Sequence, residues 1–124
     1  MDAYSDELTD HFEHPHNRGL IEGAAGAGAM RNPVCGDFLQ VTVAIEDDMV
    51  TRMGWEAKGC LPSIGAASIL SEIVRGQPVS EAMAFDEQQL IAAVGGLPTT
   101  KLHSAALAIG ALHAALRQYQ SRQD

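Results

Sequence analysis

Phe38-Leu39-Gln40-Val41-Thr42-Val43-Ala44-Ile45-Glu46, then Asp47-Asp48, then Met49-Val50-Thr51-Arg52-Met53-Gly54-Trp55-Glu56-Ala57, is the stretch that decides the fold. Leu39, Val41, Val43 and Ile45 share one face while Gln40, Thr42 and Glu46 share the other, the period-two pattern of a half-buried strand. Two consecutive aspartates turn the chain. Met49, Thr51, Met53, Trp55 and Ala57 then alternate along a second strand, so the pair is expected to form an antiparallel hairpin.

Outward from the hairpin the signals become helical. Pro62 stands where a first helical turn tolerates it, opening a helix expected over about Ser63 to Arg75 and ended by Gly76. Asp86 with Gln89 three residues on has the form of a capping box, and Gly95-Gly96 closes the helix it opens. From Thr99 or Thr100 to about Tyr119, Leu102, Ala105, Ala106, Ile109, Leu112, Ala115 and Leu116 recur every three or four residues. On the N-terminal side, Tyr4, Leu8, Thr9 and Phe12 mark a short acidic helix that Pro15 stops. Residues 19–30 are rich in Gly and Ala without a consistent period and read as a loop.

The 124 residues suit one domain spanning 1–124, and 46% hydrophobic against 19% charged residues is too apolar for a disordered segment. A net charge of −8, with Asp2, Asp6, Glu7, Asp10 and Glu13 crowding the N-terminus, argues against phosphate backbones and anionic lipids as partners. No apolar run has the length of a membrane span, nor does the N-terminus read as a secretory signal, so a cytoplasmic protein, monomeric or weakly oligomeric, is expected. Two cysteines are too few for a disulfide framework.

Those cysteines flank the hairpin. Cys35-Gly36-Asp37 leads into the first strand and Gly59-Cys60 follows the second, so a hairpin brings the two ends together. An adjacent glycine lets each backbone bend toward a shared point, and Cys60 precedes a helix start, where an anionic sulfur is favoured. Either cysteine alone reads equally as a buried apolar residue; together, with Asp37, they form a metal-like constellation. His11, His14, His16 and His113 read as surface or structural histidines. His103, early in the last helix, reads from spacing as a helix histidine or a ligand.

Taken in order, Tyr4, His14-Pro15-His16-Asn17-Arg18-Gly19, Asn32-Pro33-Val34-Cys35-Gly36-Asp37, Gly59-Cys60, Gly76 and Lys101-Leu102-His103 resemble the U-type iron–sulfur cluster scaffolds, the IscU/NifU N-terminal family, over essentially the whole chain. The resemblance implies an α+β fold of the SufE/NifU-like kind, a small antiparallel sheet packed against helices. It implies a scaffold or carrier, not a turnover enzyme, that receives sulfur from a cysteine desulfurase, binds iron as a [2Fe–2S] cluster and passes it to apo iron–sulfur proteins. The site carried over by position is Cys35, Asp37, Cys60 and His103. Where the family usually has a third cysteine after that histidine, this sequence has Ser104, whose hydroxyl is a poor ligand for soft iron. Leu97-Pro98-Thr99-Thr100-Lys101 likewise departs from the Leu-Pro-Pro-Val-Lys of scaffolds that use a dedicated Hsp70 chaperone, so chaperone-assisted release does not carry over.

Two thiolates, an imidazole and a carboxylate also suit tetrahedral Zn²⁺, which makes a zinc-binding interaction protein without cluster assembly the alternative. A third reading takes Cys60 as a nucleophile with His103 as base and Asp37 as orienter, but no oxyanion hole can be argued for it from the sequence.

Overall fold

The computed structural model describes residues 4–33 and 36–123. Along these residues run α1 (Asp6–Glu13), β1 (Gly26–Arg31), β2 (Phe38–Glu46), β3 (Met49–Lys58), α2 (Leu61–Val74), α3 (Val79–Ala84), α4 (Glu87–Ala93), a 3-10 turn (Thr99–Lys101) and α5 (His103–Arg122). The fold is α+β. β1, β2 and β3 form an antiparallel sheet in that order, with helices packed against it.

The hairpin forms because Asp47 and Asp48 both take positive φ, 51° and 61°, the two-residue turn whose twist suits antiparallel strands. Leu39 pairs with Ala57, Val41 with Trp55 and Val43 with Met53, and all six are buried on the core face. The alternation expected for β3 breaks at its start. Ala44 pairs with Arg52 but Ile45 with Val50, so Thr51 is an extra residue, a β-bulge. Val50 therefore faces the core while Met49 and Thr51, expected inside, are exposed.

Residues 26–30, expected within a loop, together with Arg31 form the edge strand β1, paired from Gly26↔Val43 to Arg31↔Phe38. Its inward face is marked by missing side chains. A Cβ on Gly28 would stand 2.5 Å from Ala115 N and 2.7 Å from Ala111 O of α5, so glycine lets strand and helix approach closely.

α2 starts at Leu61, two residues before the expected start, and is buried along most of its length beneath α1, β3 and α5. Gly65 makes room for Leu8 of α1, which a Cβ would approach within 2.5 Å. α3 is six residues long, too short for periodicity to reveal. The capping box at Asp86 and Gln89 forms as expected, with Gly95 and Gly96 at positive φ beyond α4. The last helix was expected from Thr99 or Thr100; that segment is a 3-10 turn, and α5 begins at His103.

Two N-terminal histidines expected at the surface also fasten the chain onto α2, His16 while staying exposed. His11 Nδ1 lies 2.7 Å from Ser68 Oγ, and the His16 ring meets the Glu72 carboxylate. The Trp55 indole N–H donates to the His16 carbonyl at 2.8 Å, tying this segment to β3. The His16 hydrogen bond holds the Glu72 carboxyl below its ordinary value of 4.5. A lowered pKa in the folded state adds stability above the unfolded value and loses it as pH falls through the folded one. Glu72→Gln should therefore lower the melting temperature at pH 7 and by less near pH 3, and the effect should be slight because both partners are partly exposed and solvent weakens the pair. Thermal melts of both proteins at the two pH values check this.

Candidate functional site

The open end of the hairpin, where β2 begins and β3 ends, is joined to α2 and to the start of α5. Asn32 N–H donates to the Asp37 carbonyl and Gly36 N–H to the Asn32 carbonyl, both at 2.8 Å, so Asn32 is held against Gly36 and Asp37. Gly36 sits at φ 79°, a conformation that favours glycine. Cys35 lies outside the described residues. Asp37 follows with only 8% of its surface exposed.

Across from it, Gly59 leaves the space into which the Asp37 carboxyl fits, since a Cβ there would stand 2.9 Å from Asp37 Cγ. Cys60 is the N-cap residue of α2, with extended backbone and no side-chain capping bond, which leaves its sulfur available. Its thiol donates to Asp37 Oδ2 at 3.4 Å. His103, the first residue of α5, brings Nε2 to 3.9 Å from the same oxygen, with its side chain 30% exposed. Asp37, Cys60 and His103 are thus assembled from three separate elements around one carboxylate oxygen.

Sequence reasoning missed Ser63. Its buried hydroxyl donates to Asp37 Oδ2 at 2.8 Å and lies 3.2 Å from Ser104 Oγ and 3.6 Å from Cys60 Sγ. The available signal was its spacing of three from Cys60, which puts both on one face of the first turn. Ser104 is wholly buried, one residue past His103. His113 is not part of this group; its Nε2 lies 3.0 Å from the Phe85 carbonyl oxygen.

Beside His103 lies a shallow hollow of about 210 Å³, bounded by Met30, Arg31, Asn32, Pro33, Ala106 and Leu107. The described residues alone contain no cluster of three or more His, Cys, Asp or Glu arranged to hold a metal ion. Cys35, the other thiol expected at the site, stands two residues before Asp37 in the sequence.

The chain is 36% identical over 116 residues to the iron-sulfur cluster assembly scaffold protein IscU 1 of Archaeoglobus fulgidus, covering 94% of this chain and 76% of the relative. It is 31% identical over 126 residues to the iron-sulfur cluster assembly scaffold protein IscU of Escherichia coli, covering 98% of both. Among solved structures, the N-terminal part of a nitrogen-fixing NifU-like protein from Brucella abortus superposes with a TM-score of 0.81 at 17% identity, over 97% of this chain and 96% of that one. A putative iron-sulfur cluster assembly scaffold protein for the SUF system from Fervidobacterium islandicum AW-1 gives 0.76 at 21% identity, over 92% and 96%. These two likenesses concern the fold. The model of the NifU-like N terminal domain matches residues 3–124, and the chain belongs to that family.

Proposed function

We propose that this protein is a scaffold on which an iron–sulfur cluster is built and from which it is passed on, with residues 1–124 acting as one unit. The cluster is its cargo, held through Cys35, Asp37, Cys60 and His103. The observation that carries the reading is the approach of Cys60 Sγ and His103 Nε2 to Asp37 Oδ2, at 3.4 and 3.9 Å. The scaffold relatives, matched along nearly the whole chain, support it.

The chemistry of the donors fits a carrier. Thiolates hold soft iron, imidazole can replace thiolate on one iron, and a carboxylate is a harder ligand that exchanges more readily. A mixed set of this kind favours loading followed by release over permanent retention. Sulfur would come from a cysteine desulfurase and the finished cluster would go to apo iron–sulfur proteins.

Anaerobic reconstitution with iron and sulfide tests the reading. Iron and sulfide bound together, with visible charge-transfer absorbance, are the expected result; stoichiometric zinc and no absorbance would instead favour a structural metal site. Ser104→Cys should raise the reconstituted cluster yield roughly twofold, because a thiolate replaces a hydroxyl that iron holds weakly. Equal yields in the two proteins would mean that Ser104 does not limit assembly.

A further inference from the structure

The geometry points to Ser63 as the residue that sets the Asp37 carboxylate for cargo binding; we infer that it is a positioning residue of the site, an assignment that rests on the scaffold reading. Three observations meet at its hydroxyl. Ser63 is 2% exposed, so its Oγ needs partners within the protein. It donates to Asp37 Oδ2 at 2.8 Å, lies 3.6 Å from Cys60 Sγ and lies 3.2 Å from the wholly buried Ser104 Oγ.

The direction of the chain of bonds follows from proton counting. Ser63 has one hydroxyl proton and two oxygen neighbours. The carboxylate is the nearer and the charged acceptor, so the proton goes there, and the Ser104 hydroxyl supplies the proton for the second bond. Ser104 thereby orients Ser63, and Ser63 fixes Asp37. Ser63 also sits one turn into α2, three residues after Cys60, so the same turn that presents the thiol aims the carboxylate. The same oxygen also accepts the Cys60 thiol proton, a bond that metal binding would replace, because the thiolate and not the thiol is the ligand. Groups that hold a metal-binding side chain in this way typically change affinity about 10–100-fold when removed.

Zn²⁺, used as a probe in chelator competition on the full chain, tests this through a four-member cycle of wild type, Ser63→Ala, Asp37→Ala and the double variant, with thermal melts recorded beside it. Ser63→Ala should weaken Zn²⁺ binding about 10–100-fold where Asp37 is present and less than about twofold where it is absent. An equal loss in both backgrounds, or no loss in either, overturns the assignment. Should Ser63→Ala not fold, Ser104→Ala passes through the same cycle. A loss of about threefold or more that depends on Asp37 supports the chain of bonds, and a smaller or independent loss overturns it. If neither Asp37→Ala nor Cys60→Ala weakens Zn²⁺, the site reading falls and Ser63 with it; if both do and Ser63→Ala does not, Ser63 alone falls.

Discussion

Cys60→Ala purified anaerobically should carry less than about a tenth of the metal held by the parent protein, because it removes one of only two thiols in the chain. The substitution should be nearly silent for the fold. Cys60 is partly exposed and makes no side-chain bond to the α2 N-terminus, so the helix loses no cap, and the stability change should stay within about 1 kcal/mol. Loss of metal without loss of fold is what distinguishes a ligand from a core residue. Cys35→Ala should lower metal content in the same way, since it removes the other thiol. His113→Ala is the control: its ring faces the Phe85 carbonyl, and metal content should not change. Metal analysis together with circular dichroism decides the matter, and equal metal in all three variants would remove the proposed site.

How much of this could be read in advance depended on whether a side chain or its absence carried the signal. The β2–β3 hairpin was legible because Leu39, Val41 and Val43 alternate with polar residues, and the alternation follows from the pleat itself. The bulge at Thr51 was not, since an extra residue shifts the inward face without changing composition. β1 was invisible for the opposite reason: two of its three inward positions, Gly26 and Gly28, have nothing that a periodicity count can register. The juxtaposition of Asp37 and Cys60 followed from their places at the two ends of one hairpin. His103 did not follow from its own spacing, because an amphipathic period says which face of α5 is buried but not which end of the sheet its first turn reaches; the family resemblance singled it out. Ser63 was missed because a serine early in a helix looks like a residue of the first turn, and only the fold brings Asp37 and Ser104 to its hydroxyl.

Gly28→Ala should destabilise the protein by about 3 kcal/mol, the upper part of the range for overpacking a close contact. The new Cβ would stand 2.5 Å from Ala115 N, 2.7 Å from Ala111 O and 2.7 Å from Ala114 Cβ. Two of those three are backbone atoms inside the regular ladder of α5, which cannot step aside singly, so either the helix lifts from the sheet or β1 leaves its register with β2. Ala29→Val is the matched control. Its side chain points to the exposed side of the same strand, and a β-branched residue there suits the extended backbone. Urea titration should show a midpoint lowered by about 1 M or more for Gly28→Ala with little change in slope, and an unchanged midpoint for Ala29→Val. The consequence extends to the site, because α5 carries His103 and Ser104 in its first turn. A variant that lifts α5 should widen the His103 Nε2 to Asp37 Oδ2 separation from its 3.9 Å and weaken Zn²⁺ binding even under conditions where the protein remains folded. A folded Gly28→Ala protein with undiminished stability and zinc affinity would show that β1 can yield to the helix, and that the glycine contact does not hold the site in place.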